Sequence, residues 1–218
     1  MNLTPNRLKA AIALNALVIV LEAFALHSGF TRNHLGTFVY YTTLSNLFGA
    51  IACGLCLVFE VRELRKGCAT PRLARLAKYA ASCCVLLTLL VVIFVLAPAL
   101  CIAGKDGYYL MFCEFERPIT HLVNPVLVFV SYVLFEADRT LTFKQSFIGF
   151  APTLLYAIVA YSCNIARIWD GPYPFFQVWN MPIWLSVLWF AALCALALGL
   201  CQAPRLACRR FGKANRPD

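Results

Sequence analysis

Six long apolar runs occupy most of this 218-residue chain, near residues 8–28, 38–59, 77–100, 118–135, 146–168 and 182–202. Each is long enough to cross a hydrocarbon core of roughly 30 Å, which takes about 20 helical residues. Lipid offers no partner to free backbone N–H and C=O groups, so helix is the expected conformer of every run. A membrane barrel would instead show short alternating segments, and none is present. With 61% hydrophobic and 13% charged residues, the expectation is an all-α polytopic membrane protein: six transmembrane helices in one bundle, residues 1–218 forming a single integral membrane domain. A cleaved leader is not expected at the N-terminus. Its apolar stretch is long, contains Glu22, and is followed by no small-residue cleavage pattern.

The basic residues set the expected orientation. Fifteen of the nineteen lysines and arginines fall on one side: Arg7 and Lys9; Arg62, Arg65, Lys66, Arg72, Arg75 and Lys78; Arg139 and Lys144; Arg205, Arg209, Arg210, Lys213 and Arg216. Arg32, Lys105, Arg117 and Arg167 fall on the other. This predicts cytoplasmic N- and C-termini in a multi-pass protein of the cell membrane. The net charge of +9 is then that of loops facing anionic headgroups, and no nucleic-acid partner is expected, because no recognition motif accompanies the charge.

Most of the eleven cysteines lie in apolar runs, where Cys acts as a small apolar filler. Cys53 and Cys56 form a CxxC, but no second pair or nearby His completes a zinc set, so no metal and no cofactor are expected. Cys101 and Cys113 flank the third connection, where a disulfide is open to them if that side is oxidising.

Polar side chains within spans carry the functional expectation, and they gather in the half of the bundle away from the termini. Glu22 lies in the first span, Thr42, Thr43, Ser45 and Asn46 in the second, Arg117, His121 and Asn124 in the fourth, Asn164 and Arg167 at the end of the fifth. The other half holds little beyond Ser82, Thr88, Ser146 and Thr153 on these boundaries. Thr42, Ser45, Asn46, Gly49 and Cys53 recur at helical spacing as a small, polar stripe. In the fourth span, Pro125 removes a backbone donor and is expected to free the carbonyl of His121. Such residues also serve as glue between membrane helices, and interfacial arginines also snorkel. The fifth connection, IWDGPYPFFQVWNMP, has a heavy aromatic load that suits either a surface belt or a sidewall over an entry point.

The YYTTLSN of the second span resembles the Tyr-Phe-Thr-x-x-Ser-Asn signature of the Pr6Pr family of bacterial membrane proteins. The HLVNP of the fourth is similar to that family's His-x-x-x-Pro, and Gly171-Pro172-Tyr173-Pro174 to its Tyr-Pro connection. More remotely, the layout resembles the androgen-induced family of transmembrane threonine hydrolases, which cleave esters of hydroxylated fatty acids with a Thr early in the second helix and a His in the fourth. That resemblance falls on Thr42 and His121, and departs at Ser45, where the eukaryotic motif has an acidic residue. It implies a lipid-ester hydrolase with Thr42 and His121 catalytic. Glu22, Asn46, Arg117, Asn124, Asn164 and Arg167 are the candidates around the substrate, and the expected partners are membrane lipid and an amphiphilic small molecule. The alternative is a non-enzymatic carrier or receptor for a small amphiphile or ion, which would need a polar route onward toward the termini.

Overall fold

The computed structural model describes residues 3–211; Lys213 and Arg216 of the charge pattern lie outside them. The described residues are helical with no strand, and six helices are long and apolar enough to span a membrane: Pro5–Val39, Tyr41–Lys66, Arg72–Ile102, Ile119–Glu136, Phe143–Ile165 and Ile183–Arg210. Within them, α1 is Pro5–Asn33, α2 Tyr41–Lys66, α3 Arg72–Val91, α4 Ala97–Ile102, α5 Gly107–Phe112, α6 Asn124–Ser131, α7 Phe143–Ser146, α8 Ala151–Ile165, α9 Ile183–Leu200 and α10 Gln202–Phe211.

The helix α3 is the axis of the bundle, buried nearly all round from Lys78 to Val85. The helix α2 packs on it and buries Ser45, Asn46, Gly49, Cys53, Cys56 and Glu60, while α1 packs chiefly on α2 and the fourth span, burying one face at helical spacing, Leu8, Ala11, Asn15, Val18, Glu22, Ala25 and Gly29. By contrast α9 buries only Ser186 and Ala197, so most of its surface is left for lipid. Both ends of the described residues lie at one end of the bundle. Arg7 donates to the Leu134 carbonyl at 2.7 Å, and Cys208 packs with Tyr132 and Leu141.

Three wide π-helical turns interrupt the spans, at Val92–Leu96, Ile119–Val123 and Tyr132–Glu136. Two are followed closely by proline, and the geometry explains the pairing. In a π turn the acceptor lies five residues back, so Pro98 and Pro125, which lack an N–H, leave the carbonyls of Ile93 and Thr120 without a helical donor. Side chains supply the donors: Tyr108 Oη reaches the Ile93 carbonyl at 3.2 Å and Asn46 Nδ2 the Thr120 carbonyl at 2.9 Å. The carbonyl expected to be freed was that of His121. The wide turn moves the vacancy one residue earlier.

The helices also run farther toward the terminal end than the apolar runs suggest. The second span continues through Glu60, the third begins before Lys78, and the fourth ends at Glu136. All three side chains are almost wholly buried. The expectation that this half is nearly free of polar groups is therefore overturned: charges read as loop residues are enclosed within the bundle. Lys78 is not a loop cation, which leaves fourteen basic residues on the terminal side against four.

Candidate functional site

A cavity of about 590 Å³ opens among the first four spans and the fifth connection, at the end away from the termini. That volume lies within the roughly 300–1,000 Å³ of small-molecule sites. Four of the sequence-predicted residues border it: Glu22, Thr42, Arg117 and His121.

Thr42 lies in the first turn of α2. Its backbone N–H donates to Tyr173 Oη at 3.3 Å, and its hydroxyl lies 3.5 Å from the same oxygen. Its carbonyl accepts from Ser45 Oγ at 3.1 Å and Asn46 Nδ2 at 2.8 Å. The hydroxyl is thus free of the backbone bond that often occupies a helical Thr.

His121 sits on the π turn before Pro125. Its Nδ1 is 2.7 Å from the Met111 carbonyl of α5. A carbonyl can only accept, so Nδ1 carries the proton and Nε2 is left with its lone pair. Phe112 meets the ring edge-on at 6.3 Å. The tautomer is set by the close seat of α5: a Cβ at Gly107 would drive into the Ala97 backbone carbonyl, so only glycine allows that approach.

Glu22 forms part of the cavity wall and accepts from Asn124 Nδ2 at 3.0 Å. At the rim, Glu116 pairs with Arg32 and accepts from Ser28 Oγ at 2.9 Å. Arg117 is tied to the Leu110 carbonyl at 2.7 Å and to Glu114 at 3.2 Å.

The other four predicted residues do not border the cavity. Asn46 and Asn124 lie behind it. Asn46 spends both amide hydrogens on the carbonyls of Thr42 and Thr120, and so has none to offer a substrate. Asn164 is the clasp of the fifth connection: Oδ1 accepts from the Val178 N–H at 2.9 Å, Nδ2 donates to the Trp169 carbonyl at 3.1 Å, and its own carbonyl takes the Trp179 indole at 3.0 Å. Arg167 lies over the Trp179 ring at 4.4 Å.

That connection folds inward. Tyr173, Phe175 and Phe176 are buried, with Tyr173 and Phe175 stacked at 5.2 Å. Its turn at Gly171 has φ +78°, a conformation that favours glycine. A second, apolar pocket of about 50 Å³ lies beneath, between Leu87, Val91, Phe176, Leu193 and neighbours. Thr42, Leu96 and Tyr173 border both spaces. Burial pushes the Tyr173 phenol above its ordinary value, so it stays protonated and can donate. In the sequence Tyr173 stands out as one of the connection's aromatics and as part of the Tyr-Pro resemblance, not as a site residue; the flanking Gly-Pro and Pro were the available sign that its ring is held in place.

A second polar centre lies toward the terminal end. Asn15 Nδ2 donates to Glu60 Oε2 at 3.0 Å and to Glu136 Oε1 at 2.8 Å, and its Oδ1 accepts from the Lys78 ammonium. Lys78 lies 3.5 Å from Glu136, and Ser131 Oγ reaches both oxygens of Glu136 at 3.0 and 3.2 Å. The α2 stripe was read only as far as Cys53; Glu60 lies seven residues further on the same face. Between the two centres Val18, Cys53, Val85 and Val128 form a buried apolar layer.

No group of three or more His, Cys, Asp or Glu side chains that could hold a metal occurs among the described residues. Cys101 and Cys113 are exposed, unpaired thiols. No family model, curated protein or solved structure matches the chain.

Proposed function

We propose that the chain is a membrane-embedded hydrolase of lipid esters, with Thr42 as nucleophile and His121 as general base. The observation that carries this reading is the position of Thr42, at the junction of a roomy cavity that His121, Glu22 and Arg117 border and a smaller apolar pocket. An ester needs both surroundings: water and proton-transfer groups at its carbonyl, and a dry surface for its chain.

Thr42 and His121 share no direct hydrogen bond, and such catalytic bonds are often long before substrate tightens them. In the proposed reaction Thr42 Oγ1 adds to the ester carbonyl carbon as its proton passes to His121 Nε2. The carbonyl electron pair moves onto oxygen, and Tyr173 Oη and Arg117 are the donors bordering the cavity that can face it. Collapse breaks the bond to the alcohol oxygen, which takes the proton from Nε2. Water then adds to the acyl-threonine carbon and gives its proton to Nε2. Breaking the bond to Thr42 Oγ1 releases the acid, and Thr42 recovers the proton. A bare hydroxyl is a poor nucleophile, so the Nδ1–H tautomer held by Met111 is what this chemistry requires.

A fluorophosphonate probe tests the reading in membranes carrying the full chain. Labelling is expected in the wild type, retained in Thr43→Ala, and lost in both Thr42→Ala and His121→Ala. Undiminished labelling of those two variants overturns the assignment.

One observation favours a second reading, a carrier for a small amphiphile or ion. The enclosed Lys78–Glu60–Glu136 cluster supplies polar groups in the half where a carrier needs them, although the apolar layer around Val18 and Val85 separates it from the cavity. Substrate uptake into proteoliposomes that survives Thr42→Ala would select this alternative.

A further inference from the structure

The charges around the terminal-end centre do not balance. Glu60 and Glu136 face one ammonium, Lys78, and all three are at least 98% buried. Glu60 and Glu136 also border a small cavity of about 40 Å³ at the terminal end, with Glu63, Thr70, Arg75 and Ala137. That volume is enough for one or more waters, each needing roughly 10–15 Å³.

The groups facing this centre come from every helix packed on it. From α1 comes Asn15; from α2, Glu60, Glu63, Cys53 and Cys56; from α3, Lys78 and Arg75; from the end of the fourth span, Ser131 and Glu136. Arg75 is not within ion-pairing distance of any carboxylate among the described residues. Glu63 is occupied by the Thr70 N–H at 2.8 Å and hydroxyl at 2.9 Å, and Asp138 is paired with Arg72 at 2.7 Å. Even with Arg75 counted, three carboxylates meet two cations. Two carboxylates held on one Asn15 amide cannot both stay ionised cheaply in a bilayer.

The unfilled valence is localised. Glu136 has both oxygens bonded, by Asn15 and Ser131. Glu60 has one oxygen on Asn15, while Oε1 is buried with no partner among the described residues. We propose that Glu60 is a proton-binding site, open to exchange through the small cavity at the terminal end. A hydronium ion in the cavity gives its proton to Glu60 Oε1, one of its O–H bonds breaking to leave neutral water, and the centre becomes one ammonium, one carboxylate and one neutral acid. The inference does not rest on the hydrolase reading, since none of these residues borders the larger cavity.

Infrared spectroscopy of the full chain in lipid vesicles tests it, in a Glu22→Gln background that removes the buried carboxyl at the larger cavity. The expected result near neutral pH is one carboxylic-acid carbonyl band that shifts on exchange into D₂O. The band is lost in Glu60→Gln, where the Asn15 amide keeps an acceptor, and persists in Glu63→Gln and Arg75→Gln. Lys78→Met, if it folds, is expected to double it. Absence of an exchangeable band in the background protein overturns the proposal, as does a band that survives Glu60→Gln.

Discussion

Asn124 Nδ2 donates to Glu22 Oε2 at 3.0 Å, tying the fourth span to the first behind the wall of the large cavity. Both side chains are almost fully buried, so the bond satisfies a carboxyl that water reaches only through the cavity. Asn124→Leu keeps the volume and removes the donor. Leaving a buried acceptor unmade costs about 1–3 kcal/mol, so the variant is expected to melt earlier in detergent by a corresponding amount. Combining it with Glu22→Leu should recover part of that loss. Equal melting of Asn124→Leu and wild type would mean that the bond contributes nothing.

The Lys78 centre should show the asymmetry of buried ion pairs. Removing one partner strands the other, at about 3–5 kcal/mol, whereas replacing a buried pair together is often near neutral. Lys78→Met is therefore expected to reduce the yield of folded protein sharply, and Lys78→Met with Glu136→Gln to restore much of it. Denaturant unfolding of the three proteins in one detergent measures this. A double variant no better than the single would remove the ion-pair explanation.

The six spans were legible in the sequence because hydropathy over about 20 residues reports the solvent directly. The enclosed charges were not, because the same measure takes any charge for a mark of water. Glu60 and Glu136 fell just outside the apolar runs and Lys78 at the very start of one, and what admits them to the bundle is their mutual bonding through Asn15, across sequence separations of 45, 63 and 121. No local pattern carries such pairings. The cavity residues divide in the same way. Thr42 and His121 were visible as a hydroxyl and an imidazole in lipid, whereas the Met111 carbonyl that fixes the imidazole is a backbone atom with no signature. Asn46 and Asn164 looked like ligands, but their amides are spent on backbone groups exposed by a proline and by an irregular connection.

Outside the membrane, Asp138 gives a pH dependence of defined sign. Burial alone would raise its carboxyl. The Arg72 guanidinium at 2.7 Å and the Thr140 hydroxyl and N–H at 2.6 and 3.0 Å outweigh that and hold it below the ordinary value. A carboxyl lowered by folding contributes stability that is complete above its unfolded value, about 3.9. The contribution is lost as pH falls through the folded value. Asp138→Asn is expected to be less stable than wild type at pH 7 and to converge on it in acid. Melting curves from pH 7 to 3 check this; a constant difference across that range would contradict it.

Tyr173 offers a narrower test of the hydrolase chemistry. Tyr173→Phe retains the ring stacked on Phe175 and deletes only the hydroxyl beside Thr42. If that hydroxyl faces the developing oxyanion, its loss is expected to slow ester turnover by about 10²–10³, the effect of removing one such donor, with little change in melting temperature. Turnover of a soluble ester in detergent is the readout. An unchanged rate would take Tyr173 out of the chemistry and leave it a wall of the pocket.

Gly107, which does not itself border the cavity, tests whether the seat of α5 sets the state of His121. Its hydrogen faces the Ala97 backbone carbonyl at a separation where no Cβ fits, and a backbone atom cannot swing aside as a side chain can. Gly107→Ala must therefore move α5 away from α4, and with it the Met111 carbonyl 2.7 Å from His121 Nδ1. Overpacking of this kind costs about 1–3 kcal/mol, while loss of the carbonyl frees the imidazole to take either tautomer. The expected outcome is a folded protein of lower stability whose fluorophosphonate labelling falls although Thr42 and His121 are both present. The His121 ring-nitrogen NMR shifts should change with it. Full labelling together with unaltered ring-nitrogen shifts would break the link from Gly107 through Met111 to the imidazole.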